Sequence, residues 1–222
     1  MNLAMKLLIS TMAVGLAVSA QAQVPVGPEP PTSPIPTGLD PSGPWYPTPS
    51  GTTGVPVTSG QELFASGGPI YVTDLGPTAA GYDEQLFVEM PNTGYGLFMD
   101  NHSTGNGTTY YLGTYAAGTE FEFGLDVLTT GDVWYDGPGS RNSDGAVHAY
   151  MVNNYEGLAN TTYVGFEDEP ARFADFNYVD EVYAFTGAAS VQVVPEPATY
   201  GALAGLGMIV VSLRSQFRRP KA

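Results

Sequence analysis

The stretch Glu120-Phe121-Glu122-Phe123-Gly124-Leu125-Asp126-Val127 alternates apolar side chains with polar or small ones over eight residues. A period of two is the pattern of a β-strand, because successive side chains of a strand point to opposite faces of its sheet. One face of this strand is therefore predicted to be buried. The residues expected in the core are Phe121, Phe123, Leu125 and Val127.

Short apolar runs continue on both sides of this stretch, and turn-forming sequences such as Gly105-Asn106-Gly107 separate them. No long helical pattern appears before residue 198. The fold class is therefore predicted to be all-β, an antiparallel, jelly-roll-like β-sandwich over residues 61–194. The other predicted strands are Ile70–Leu75, Gln85–Met90, Gly94–Asn101, Thr108–Tyr115, Val133–Tyr135, Val147–Asn153, Thr161–Glu167 and Glu181–Val194.

The composition excludes several kinds of function. The 222 residues contain no Cys, so the chain has no disulfide, no thiolate nucleophile and no Cys-ligated metal. Seven basic side chains stand against 22 acidic ones, which gives a formal net charge of −15. Because binding to phosphates requires clustered Lys and Arg, nucleic acid is not an expected partner.

Residues 23–60 contain eleven of the nineteen prolines, spaced by Gly, Ser and Thr. This composition is typical of an extended, partly polyproline-II segment, so residues 23–60 are predicted to be a linker without a core. Trp45 and Tyr46 interrupt the linker and form an aromatic pair that could contact the folded domain or a sugar.

Residues 1–22 have the pattern of a secretory signal peptide with a helical apolar segment. Lys6 supplies a positive charge, residues 7–18 form an apolar run, and Ala20 and Ala22 provide the small-residue cleavage pattern. Cleavage is expected after Ala22. A buried helix at the start of the domain is the alternative.

The C-terminal segment, residues 195–222, also resembles a processing signal. Pro195-Glu196-Pro197 precedes an apolar run over residues 200–213, and a basic tail follows. Fourteen helical residues span about 21 Å, which makes a short transmembrane helix. The tail should stay on the cytoplasmic side. Its basic residues are Arg214, Arg218, Arg219 and Lys221.

This order of features resembles the PEP-CTERM sorting signal of Gram-negative bacteria. The resemblance implies recognition by an exosortase, a membrane protease/transpeptidase that cuts near Pro195-Glu196-Pro197. It also implies transient anchoring in the membrane and delivery to the cell surface or to an exopolysaccharide matrix. An ordinary single-pass anchor is the alternative. Residues 23–197 would then keep two cations, Arg141 and Arg172, against 22 acids, a net charge of 2 − 22 = −20.

Acidic and amide side chains cluster in sequence near the end of the domain. Asp175, Asn177 and Asp180 lie two and three residues apart, and Glu167 and Asp168 precede them. Oxygens at such spacings in a loop can converge on calcium, which takes six to eight oxygen ligands and tolerates irregular geometry. These five residues are therefore the predicted calcium site. A solvated acidic turn without metal is the alternative.

The same region resembles a β-rich domain of unknown function that is common in PEP-CTERM proteins and in calcium-associated bacterial surface proteins. The resemblance rests on Gly165-Phe166-Glu167-Asp168 and on the run from Asp175 to Tyr183. Two features depart from the pattern, because the spacer at 169–174 lacks glycines and Val179 replaces an oxygen ligand. The resemblance implies a β-rich fold and an extracellular location, with no catalytic role.

A second, weaker cation pattern lies at Asn142-Ser143-Asp144-Gly145, where Met151 stands in place of the carboxylate that would complete the loop. We interpret it as a turn. Neither His102 nor His148 belongs to a recognised catalytic motif. No enzymatic activity is therefore expected.

The sequence thus predicts an exported, non-catalytic structural or adhesive protein that is supported by calcium. The first rival is a carbohydrate-binding module for exopolysaccharide, and the second is a hydrolase that acts on matrix sugars. The aromatic residues expected to bind sugar are Trp45, Tyr46, Trp134 and Tyr135.

Overall fold

The computed structural model describes residues 29–42, 47, 57–76, 81–90 and 94–192. It contains eleven β-strands and two single-turn 3₁₀ helices, at Gly139–Arg141 and Tyr155–Gly157. The strands are β1 (Gln61–Ala65), β2 (Gly68–Asp74), β3 (Glu84–Met90), β4 (Gly94–Asp100), β5 (Thr109–Tyr115), β6 (Glu120–Val127), β7 (Asp132–Tyr135), β8 (Ala149–Asn153), β9 (Thr161–Phe166), β10 (Glu181–Thr186) and β11 (Ala188–Gln192).

The strands form two antiparallel sheets. The first has the order β11-β1-β6-β3-β4, with β7 also paired to β6, and the second has the order β5-β2-β10-β9-β8. The two sheets share one apolar core. Phe123 of β6 contacts Phe166 of β9 and Phe185 of β10, with ring centroids 5.9 and 4.9 Å apart. The prediction of an all-β fold is confirmed.

Strand β6 lies in the interior of the first sheet and carries the predicted alternation. All four residues expected in the core are fully buried, namely Phe121, Phe123, Leu125 and Val127. Gly124 lies on the opposite face, where a Cβ would stand 2.3 Å from the carbonyl oxygen of Trp134 on β7. Only a glycine therefore allows β7 to pair so closely with β6.

The predicted single strand Glu181–Val194 is two strands in the structure. Strand β10 belongs to the second sheet and β11 to the first, and the chain crosses between them at Gly187. This residue has φ +90°, and a Cβ would lie 2.3 Å from the Pro69 carbonyl oxygen. The apolar pattern is continuous through the crossing because both strands face the same core. The sequence analysis also missed β1, which pairs with β11.

Part of the proline-rich segment packs on the domain. Ser33 donates its amide to the Thr109 carbonyl at 2.8 Å, and the Tyr111 amide donates to the Pro31 carbonyl at 2.9 Å. This pairing covers the edge of β5. Leu39 is 7% exposed and packs in a small cluster with Tyr155 and other apolar residues outside the second sheet. The interpretation of residues 23–60 as a linker without a core stays a prediction, to which the structure adds the buried side chain of Leu39.

Several predictions fall outside the described residues. These are the signal peptide with Ala20 and Ala22, the pair Trp45 and Tyr46, and the short transmembrane helix with its flanking residues 195–222. Within the described residues, no helix has the length and apolar character needed to cross a membrane.

Candidate metal centre

Acidic side chains meet at one end of the sandwich, between the two sheets. Glu84 is the first residue of β3 in the first sheet, and Glu181 is the first residue of β10 in the second. Glu167 and Asp168 directly follow β9, whose last residue Phe166 pairs with Glu181. Antiparallel pairing thus brings the start of one strand beside the end of its neighbour, and both positions carry carboxylates.

Three of the five predicted calcium ligands come together here. One carboxylate oxygen from each of Glu167, Asp168 and Asp180 lies within 4.8 Å of the other two. An open cleft of about 340 Å³ borders this group and is also lined by Tyr82 and Asp175. The spacing suits oxygen atoms that share one cation, because calcium binds oxygens at about 2.3–2.6 Å.

The other two predicted ligands are engaged with each other. The carboxylate of Asp175 accepts hydrogen bonds from the backbone amide and the side-chain amide of Asn177, both at 2.9 Å. The side-chain oxygen of Asn177 accepts the Val179 amide at 2.8 Å. Asp175 nevertheless lines the cleft, so its charge acts on the site. Asn177 is held as a turn residue.

The loop that carries Asp180 has an unusual backbone. Phe176 and Tyr178 have φ of 54° and 56°, a left-handed conformation that large side chains rarely adopt. Both side chains are buried, and the Tyr178 hydroxyl donates to the Val147 carbonyl at 3.0 Å. The amide of Phe176 donates to the carboxylate of Glu167. Packing thus holds a strained loop against the acidic group, and such strain is common at functional sites.

The buried acids lack compensating partners. Glu84 is 0% exposed, and apart from the carboxyl of Asp168 its carboxylate oxygens have no hydrogen-bond partner among the described residues. Glu167 is 1% exposed, and its Oε2 is also without a partner in this part of the chain. None of the ion pairs between described residues includes Glu84, Glu167, Asp168 or Asp180. A buried carboxylate without a partner is costly, and a cation is one partner that these oxygens could hold.

Glu84 was not among the residues predicted from the sequence. A signal was present, because Glu84 shares its strand face with Leu86 and Val88, which are core residues. A glutamate at a strand position whose side chain faces the core is unusual and requires a partner for its charge. The same argument applies to Glu181, which shares a face with the core residues Tyr183 and Phe185.

The electrostatics of the site follow from this burial. Desolvation, together with the charges of Asp180 and Asp175, raises the pKa of Glu167 to about 8. Burial raises the pKa of Asp180 to about 7, and Asp168 adds to that rise. Burial and the adjacent Asp168 carboxyl raise the pKa of Glu84 far above its usual range. Each shift reports a penalty on the negative charge, and a bound cation would remove that penalty.

An aromatic pair supports the backbone of the acidic group. The Trp134 indole donates its Nε1–H to the Asp168 carbonyl at 2.7 Å. The ring of His148 stacks on the indole with centroids 3.9 Å apart and planes at 3°. Its Nδ1 lies 2.9 Å from the Glu167 carbonyl oxygen, and its Nε2 lies 3.1 Å from Asp144. These contacts fix the positions of residues 167 and 168.

One of the predicted sugar-binding aromatics is unsuited to that role. Trp134 is 1% exposed, because β7 turns its indole towards the core, so it offers no free face to a saccharide. Tyr135 is partly buried and packs edge-on against Phe87 with ring centroids 5.5 Å apart.

The second cation pattern is a turn, as interpreted from the sequence. The side-chain amide of Asn142 bonds the backbone of Tyr135 and Ala146. The carboxylate of Asp144 accepts the amides of Ala146 and Ala171 and contacts His148. Its oxygens therefore already have donors.

Comparison with known families identifies a sorting motif near the C-terminal end of the chain. Residues 193–219 match the family model of the PEP-CTERM protein-sorting motif. The chain is therefore exported and passes through a membrane-anchored sorting step. Because exosortases process this motif, the chain is an exosortase substrate. No curated protein and no solved structure matches it.

Proposed function

We propose that the domain is a calcium-stabilised structural or adhesive module, displayed at the cell surface or in the extracellular matrix, with no catalytic activity. The observation that carries this proposal is the group Glu167, Asp168 and Asp180 beside buried carboxylate oxygens without partners. Unlike the side chains of a solvated acidic turn, Glu167 and Asp168 are buried, at 1% and 5% exposed.

The residues fit calcium better than magnesium. The three close carboxylates supply several oxygens in an irregular arrangement, and the open cleft leaves room for water molecules to complete six to eight ligands. Magnesium requires a near-ideal octahedron at about 2.0–2.1 Å and keeps its water. Calcium is therefore the proposed ion, with Asp175 placed to contribute to the charge of the site.

The rival functions have less support from this geometry. A sugar-binding surface would need an exposed aromatic face, and Trp134 is buried. A glycoside hydrolase needs a carboxyl that reaches the scissile bond. Solvent does not reach Oε2 of Glu167 or either carboxylate oxygen of Glu84, so these atoms could not contact a substrate in the cleft.

Thermal unfolding of the full chain in detergent, with calcium or with a chelator, tests this proposal. Calcium at about 100 times its Kd should stabilise the fold by about 2.7 kcal/mol, which raises Tm by about 5–10 °C for a chain of this size. Magnesium at the same concentration should give a smaller shift.

Matched variants identify the site. Glu167→Gln should abolish most of the calcium-induced shift, since it removes a charge yet keeps an acceptor for the Phe176 amide. Glu89→Gln is the control, because Glu89 is an exposed glutamate with no role in the acidic group. A wild-type Tm that calcium leaves unchanged, or equal shifts in the two variants, would refute the calcium proposal.

A further inference from the structure

Glu84 lies beside the acidic group but does not belong to the three residues whose carboxylate oxygens are closest to one another. The oxygens within 4.8 Å of one another belong to Glu167, Asp168 and Asp180. Glu84 contacts Asp168, and the charges of Glu181 and Asp180 also act on it. Asp168 therefore contacts Glu84 and also belongs to the close group that it forms with Glu167 and Asp180.

Charge balance makes one ion insufficient for this arrangement. Four carboxylates that form no ion pair with another described residue meet here, from Glu84, Glu167, Asp168 and Asp180. With all four ionised, one calcium ion would leave two negative charges, whereas two ions would leave none. Because Glu84 is fully buried, a charge left on it would be strongly disfavoured.

We propose that the centre binds two calcium ions, which share Asp168 as a bridging ligand. One ion binds Glu167, Asp168 and Asp180, and the second binds between Asp168 and Glu84. The independent support for the second position is Glu84 itself, whose two buried oxygens have no hydrogen-bond partner among the described residues apart from the carboxyl of Asp168. Carboxylates can bridge because each has two oxygens with several lone-pair directions.

This inference rests on the calcium site proposed above. The number of calcium ions bound per chain distinguishes a failure of the second position from a failure of the calcium proposal itself. The full chain in detergent is dialysed to equilibrium at about 1 mM free calcium, in the range of extracellular calcium sites, and bound metal is measured by elemental analysis. We expect two ions per wild-type chain, one per Glu84→Gln chain and two per Glu89→Gln chain. Glu89 lies on the same strand as Glu84, about 17 Å away along it.

Each other outcome has a definite meaning. One ion in the wild type, unchanged in Glu84→Gln, would overturn the second position and leave the first intact. No bound ion would overturn both proposals. An equal loss of calcium from Glu84→Gln and Glu89→Gln would assign the second ion to the general acidic surface.

A second measurement covers the possibility that Glu84→Gln disturbs folding. With a chelator present, this variant should unfold at a higher temperature than the wild type, because the buried carboxyl of Glu84 must either carry a repelled charge or be held protonated, and the amide of Gln does neither. A lower Tm would show that Glu84 stabilises the fold without metal, and the inference would fail.

Discussion

Replacing Trp134 with Phe should weaken both the fold and the metal centre. The indole Nε1–H donates to the buried Asp168 carbonyl at 2.7 Å, and phenylalanine leaves that oxygen without a donor. An unsatisfied buried group costs about 1–3 kcal/mol. The smaller ring also loses part of its contact with His148, which costs about 1 kcal/mol. The free energy of unfolding should therefore fall by about 2–4 kcal/mol.

Urea unfolding measures this loss of stability. An unchanged m-value would confirm that the variant exposes as much surface on unfolding as the wild type does. The same variant should bind calcium several-fold more weakly, because Trp134 positions the backbone of Asp168 without touching the ion. Tyr135→Phe is the control, since it keeps the ring that packs on Phe87. A loss below about 1 kcal/mol in Trp134→Phe, or an unchanged calcium affinity, would refute this reasoning.

Two further predictions concern pH and processing. Burial raises the pKa of Asp74 from 3.8 to about 6, so the stability of the wild type should fall as the pH rises through this range. The Asp74→Asn variant keeps an acceptor for the Gly76 amide, and at pH 7 it should be more stable than the wild type by about 3 kcal/mol. This difference in stability should disappear near pH 4. Denaturant unfolding at several pH values measures it, and two parallel plots of stability against pH would contradict the prediction. Intact-mass analysis should show an exported protein that begins at Gln23 and lacks residues 214–222; a retained basic tail would exclude exosortase processing.

Local periodicity was sufficient to predict most of the strands. The alternation through Phe121 and Phe123 identified β6 and its buried face, because a period of two depends only on neighbouring residues. The same reasoning failed at Gly187. Which sheet a strand joins is decided by packing over long sequence distances, and here a backbone approach to Pro69 fixes the crossing.

The candidate site was predicted where its ligands are close in sequence. Glu167, Asp168 and Asp180 lie within one segment, and the structure brings them together. Asn177 stays a prediction from spacing, and in the structure its side-chain oxygen accepts the Val179 amide. Glu84 was missed because its proximity to Asp168 depends on the packing of one sheet against the other.

The position of the acidic centre explains how a chain without cysteine could lock its two sheets together. Glu84 belongs to β3 in the first sheet, whereas Asp168 follows the end of β9 and Glu181 begins β10 in the second. Ions bound between them would join the sheets, as a disulfide joins two strands. Without ions the same carboxylates repel one another across the interface. Calcium would therefore determine the stability of this end of the sandwich, and the stabilisation would be gained wherever free calcium exceeds the Kd.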